Sequence, residues 1–164
     1  MVESIIPKMR ITYCDGWFGA KKCYTTIWAE EHARQAHSKG DLYTVLIGDP
    51  QKPDCFVEVN LKVKFIGVTF LDGCLREYLD YSFVEKQPGM LFLDRAIFRE
   101  YDGDSDVVVK SQIFRYKPDG LTSLEEADLL INEAITTEKL VDVSKNWELV
   151  PGFGDYASIS RLER

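Results

Sequence analysis

Asp102, Asp104 and Asp106 stand at alternate positions, a D-x-D-x-D run. Carboxylates spaced in this way can converge on a hard cation such as calcium, which takes oxygen ligands. An EF-hand loop opening at Asp102 would need glycine at its sixth position and glutamate at its twelfth. The chain has Val107 and Ile113 there, so the run reads as a solvated hairpin turn. His32 and His37 are the two histidines, and both fall on a stretch that reads as helix. Five residues apart, they are turned from one another by about 140°, which suits no shared metal. His32 has a pKa range suited to a general base, but no serine or cysteine partner is visible, and an exposed helix histidine is the expectation. Cys14, Cys23, Cys55 and Cys74 contain no C-x-x-C pair, so a zinc ribbon or thioredoxin-like site is not expected. They read as free thiols acting as small hydrophobes. Carboxylate pairs recur at Glu30-Glu31, Glu77 with Asp80, and Glu125-Glu126 with Asp128, and they read as charged faces. The chain has no P-loop, dinucleotide fingerprint, nucleophile elbow or zincin motif, and Gly152-Phe153-Gly154 reads as a turn. No catalytic residue, metal or cofactor is assigned.

The elements that hold these residues follow from the whole chain. It has 164 residues, with 20 Lys and Arg against 27 Asp and Glu, a formal net charge of −7. That length suits one domain. The acidic balance argues against a nucleic-acid binder, whose affinity comes from cations on phosphates. No apolar run is long enough to cross a membrane as a helix. Met1 to Arg10 carries Glu3 and Pro7 and no apolar leader block, so a cytoplasmic location is expected.

Arg10 to Cys14 reads as a short strand, and Thr25 to Lys39 as a helix capped by Thr25 or Thr26 and ended by Gly40. Leu42 to Ile47 is the next strand. Val57, Val59, Leu61, Val63 and Phe65 alternate with Glu58, Asn60, Lys62 and Lys64, the period of a half-buried strand. The phase slips at Ile66-Gly67, where a bulge or bend is expected. Leu75 to Glu85, Met90 to Tyr101 and Val107 to Tyr116 read as further strands, separated by Gln87-Pro88-Gly89 and the Asp102–Asp106 turn. Met90 to Tyr101 is apolar on both faces, as a central strand covered on two sides would be. Leu121 to Leu140 reads two ways. Leu124, Ala127, Ile131, Ala134 and Ile135 fit one helical face, whereas Ile135-Thr136-Thr137 and Leu140 to Val143 look extended; a helix over Ser123 to Ala134 is preferred. Trp147, Phe153 and Tyr156 are expected to pin the C-terminal segment across the sheet or over its open end.

The fold class expected is therefore α+β: a single domain over residues 1–164, with a curved, half-barrel-like antiparallel meander and one or two helices packed on it. The stretches Arg76 to Phe83, Gly89 to Leu93, Asn146-Trp147-Glu148 and Pro151 to Tyr156 resemble those of bacterial immunity proteins of the polymorphic-toxin and contact-dependent-inhibition kind. The resemblance spans about the last two thirds of the chain and rests on aromatic, structural motifs. It implies a non-catalytic protein that binds a cognate toxin domain and masks its active site. Such toxins include basic nucleases, towards which an acidic partner would be steered. Glu100, Asp102, Asp104, Asp106, Glu125, Glu126 and Asp128 are the candidate partner-binding residues. The alternative is a lipocalin-like binder of a small apolar ligand, with Val57, Val59, Leu61, Tyr81, Phe83, Leu91 and Leu93 lining its cavity.

Overall fold

The structure, a computed structural model, describes residues 8–164. Residues 1–7, most of the segment read for a leader, lie outside them. The strands are β1 (Ile11–Cys14), β2 (Trp17–Phe18), β3 (Cys23–Tyr24), β4 (Ile27–Trp28), β5 (Tyr43–Asp49), β6 (Lys52–Asn60) and β7 (Phe65–Leu71). They continue as β8 (Glu77–Gln87), β9 (Met90–Tyr101), β10 (Val108–Tyr116), β11 (Leu121–Asp128), β12 (Glu133–Leu140) and β13 (Trp147–Leu149), with one α-helix, α1 (Glu30–Lys39). The fold is α+β. Eleven strands form one antiparallel sheet in the order β12-β11-β10-β9-β8-β7-β6-β5-β1-β4, with β13 pairing the first residues of β9.

From β5 to β12 the sheet is a hairpin meander, and local chemistry sets each turn. Asp72 ends β7: one carboxylate oxygen accepts from the backbone N–H groups of Cys74 and Arg76, both at 2.9 Å, and the other pairs with Arg76 Nε at 2.8 Å. Gly89 and Gly120 take the positive φ that the β8–β9 and β10–β11 turns require.

Alternation divides the sheet into two faces. The inner face carries Val45, Val57, Val59, Ile66, Val68, Leu79, Phe83, Leu91 and Leu93. Ala33 and Ala36 of α1 pack on it, and so do Tyr156 and Ile159 from the C-terminal segment. On the outer face a smaller cluster of Cys14, Leu46, Phe56 and Leu71 is covered by Trp17 and Tyr24 of the β2–β3 hairpin.

Three expectations are corrected. The helix starts at Glu30, not Thr25, because Ile27 and Trp28 satisfy their backbone by pairing with Cys14 and Tyr13 of β1. Ala29 is the cap residue and neither threonine caps the helix; Gly40 does end it, in the left-handed conformation. The alternating run from Val57 to Phe65 is not one strand. It crosses a hairpin, turning through a short 3-10 segment over Leu61–Val63 with Lys64 at positive φ, so the inner face passes from Val57 and Val59 to Ile66 and Val68, and Phe65 lies with Glu58 on the outer one. Gly67 consequently sits in regular pairing opposite Glu58 and Ser82, and the register shifts lie elsewhere, as at Asp94 of β9. The helix over Ser123 to Ala134 is replaced by the β11–β12 hairpin, in unbroken register from Leu121↔Leu140 to Asp128↔Glu133. Its loop is closed by Asp128 Oδ1 accepting from Leu130 N at 3.1 Å and by Asn132 at positive φ. The helical spacing of Leu124, Ala127 and Ile131 lost to a free edge on β10, which offered β11 a ladder of backbone partners.

Candidate functional site

On the inner face the cover thins out after β9, where Phe114 and Tyr116 of β10 and Thr122 of β11 are the last residues it buries in part or in full. Beyond it, β9 to β12 form a concavity of about 510 Å³, with Phe98, Gln112, Ile131 and Ile135 among its lining residues. Cross-strand register builds the site row by row. Glu100, Lys110, Asp128 and Glu133 lie side by side across four strands. In the next row Phe98, Gln112, Glu126 and Ile135 do the same, with Gln112 Nε2 donating to Glu126 Oε1 at 3.0 Å. Four carboxylates thus surround one lysine on a floor that is aromatic and aliphatic. Such a surface attracts a cationic, partly apolar partner.

Three of the candidate partner-binding residues, Glu100, Glu126 and Asp128, therefore meet on this face. Glu125 points to the opposite face, because its neighbours Leu124 and Glu126 take the inner one. Asp102, Asp104 and Asp106 belong to the β9–β10 turn. Arg76 Nη1 donates to the carbonyls of Gly103 and Ser105 at 2.7 Å each, and Lys22 Nζ pairs with Asp106 at 2.8 Å, so the turn is locked to the body of the protein. Among the described residues no group of three His, Cys, Asp or Glu side chains could hold a metal ion.

Of the seven residues expected to line a ligand cavity, Leu61 sits in the β6–β7 turn and Tyr81 donates its hydroxyl to Leu162 O, while Val57, Val59, Phe83, Leu91 and Leu93 are packed into the core. These five are at most 3% exposed because α1, Tyr156 and Ile159 fill the interior against them. Tyr43 OH bonds Tyr156 OH and His37 Nδ1, each at 2.9 Å, and Phe153 stacks on Tyr13 at 5.1 Å. Burial pushes the Tyr43 hydroxyl up to about 12 and holds His37 below its usual range. His32 stacks on Trp28 at 3.9 Å. Burial raises the Cys14 and Cys55 thiols to about 11 and about 12, the opposite of nucleophilic activation.

The sequence reading missed a polar groove of about 360 Å³ on the outer face. Glu58, Glu77, Asp80, Arg95 and Arg99 converge there between Trp17, Phe56 and Phe65. Asp80 is tied to Arg99 and accepts from Thr69 Oγ1 at 2.7 Å. Burial, with Asp80 nearby, raises the Glu58 and Glu77 carboxyls above the usual range. The signal available was the polar side of each alternating strand, which shows that these residues share a face but not that the face is sunken. No family model matches the chain, and neither a curated protein nor a solved structure is significantly similar to it.

Proposed function

We propose that the chain is a cytoplasmic, non-catalytic immunity protein that neutralises a cognate bacterial toxin by covering the basic surface around its active site. In this reading the sheet bends as a half-barrel. One end of its inner face is packed shut, and the other, from β9 to β12, receives the toxin. The observation that carries the reading is the cluster of carboxylates Glu100, Glu126, Asp128 and Glu133 on a floor of Phe98, Ile131 and Ile135. Apolar contacts at the centre would supply affinity and the carboxylates would steer a basic partner and fix its orientation. A net charge of −7 adds a long-range attraction that weakens as salt rises. The expected toxin class is a basic nuclease domain, whose phosphate-binding cations the carboxylates would occupy.

The test is calorimetric titration of the chain with the inactivated toxin domain encoded beside it. A stoichiometric complex is expected, with affinity that falls as salt rises. Glu126→Lys with Asp128→Lys should weaken it by more than about tenfold, equivalent to about 1.4 kcal/mol. An absent complex, or one indifferent to both reversals, would overturn the reading.

A further inference from the structure

The outermost strand, β12, has all eight of its residues exposed, and one of its two edges pairs with nothing among the described residues. We propose that this edge pairs with the same edge of a second copy, antiparallel about a two-fold axis at Thr136, which joins the two sheets into one.

The backbone sets which groups are free. Leu129 N donates to Val109 O, and Leu121 O accepts from Lys117 N, so odd-numbered residues of β11 face β10 and even-numbered ones face β12. Through the register Asp128↔Glu133 to Leu124↔Thr137, the odd residues of β12 bond β11. The N–H and C=O groups of Ala134, Thr136 and Glu138 therefore point outwards. An antiparallel partner must set outward residues against outward residues, which excludes half of all registers.

Charge selects among the rest. With Thr136 opposite its own copy, Ala134 meets Glu138, and Glu133 at one end meets Lys139 at the other, twice over by symmetry. Sliding either strand by two residues breaks both ion pairs. The chosen register opposes no like charges. Two of the usual deterrents to pairing are absent, since no proline and no bulge interrupts Glu133–Leu140, and its charges Glu133 and Lys139 are complementary in this register.

Sedimentation equilibrium of the full chain tests this. A reversible dimer is expected at micromolar to submillimolar concentration. Thr136→Pro removes an outward N–H that no intramolecular bond uses, so it should weaken the dimer at least tenfold while circular dichroism and Tm stay near wild type. Glu133→Lys and Lys139→Glu should each weaken it, and the two together should restore it, because the exchange preserves the ion pairs only in this register. Glu126→Lys, the toxin-face substitution, should leave the dimer intact. A chain that stays monomeric, or whose edge pairs only with a different protein, overturns the proposal. So does a dimer indifferent to Thr136→Pro or not restored by the charge exchange.

Discussion

Phe83 and Ile135 lie on the same face of the same sheet, four strands apart, yet Phe83 is fully buried and Ile135 is 65% exposed. The backbone ladder is continuous between them, so pairing alone does not account for the difference. At the β5–β9 end α1 and the C-terminal segment supply a second layer, and the inner face beneath it is almost wholly apolar. At the β10–β12 end the second layer reaches only Phe114, Tyr116 and Thr122, and the same alternation carries Gln112, Glu126, Asp128 and Lys139 between its apolar residues. A half-covered sheet of this kind is divided: one end supplies stability and the other keeps an exposed, mixed polar and apolar face.

The sharpest way to break that division is to truncate one large side chain at each end. Phe83→Ala should cost about 3–5 kcal/mol, since it opens a cavity among Tyr81, Ile159 and the Arg164 guanidinium that lies 4.6 Å over its ring. Ile135→Ala should change stability by less than about 0.5 kcal/mol. Urea denaturation of both variants measures the contrast, and equal losses would show that the uncovered end is as much a core as the covered one.

A somewhat smaller effect is expected where the cover is tied down. Glu148 is 8% exposed and accepts from Ser158 Oγ at 2.6 Å, with Arg164 Nη2 at 3.5 Å. Arg164 Nη2 also donates to the carbonyls of Ser158 and Ile159, at 3.0 and 2.9 Å. Glu148→Ala would leave the buried guanidinium without its counter-charge, at a cost of about 3 kcal/mol. Limited proteolysis should then cut the C-terminal segment first. If the loss of stability came without faster cleavage there, this ion pair would not be what holds the cover.

Gly120 sharpens the comparison from the other side. It lies at the uncovered end, but its φ is +93° and a Cβ would meet Val141 O at 2.7 Å. Gly120→Ala should therefore cost about 2 kcal/mol, by forcing both the left-handed conformation and the contact. Thermal unfolding checks this, and a neutral substitution would mean that the β10–β11 turn relaxes freely.

Much of the covered end was legible in the residues. The strands Leu42–Ile47, Leu75–Glu85 and Met90–Tyr101 were found nearly in place because one buried face imposes period two. Gly40 marks the end of α1, and the three aromatics Trp147, Phe153 and Tyr156 pin the C-terminal segment, against Phe92, Tyr13 and Tyr43 respectively. The uncovered end was misread, and for the complementary reason. Without a buried face, Leu121 to Leu140 carries no enforced period, so a fortuitous helical spacing outweighed Ile135-Thr136-Thr137. The acidic residues were chosen by type, but which of them share a face depends on that strand register: once β11 is a strand, Glu126 and Asp128 part from Glu125. The Val57–Phe65 run failed differently. The turn over Leu61–Val63 moves the inner face from odd to even positions, so the phase slip at Ile66-Gly67 marks a hairpin and not a bulge, and the pairing of Glu58 with Gly67 identifies it.

The outer-face groove separates burial from apolarity, and it predicts the smallest effect. Glu58 lies opposite Gly67, and the Phe65 ring and the Glu58 carboxylate close over that glycine: a Cβ there would sit 3.2 Å from the ring and 3.6 Å from Glu58 Oε2. Burial and the nearby Asp80 charge both disfavour its ionised form. An acid whose folded-state pKa lies above its unfolded value takes up its proton earlier in the folded state. Stability is therefore lost as pH rises from the ordinary value of 4.5 through the folded one. Glu58→Gln removes that loss while keeping the shape of the side chain. It should raise Tm at pH 7 by about 2 °C, with the gain vanishing below pH 4.5, where the carboxyl is protonated in both states. Tm profiles of the two proteins across this range decide the matter. A gain that is flat with pH would assign the effect to packing, and a loss at pH 7 would mean that the ionised carboxylate contributes more to the groove through Arg95 and Arg99 than its burial costs.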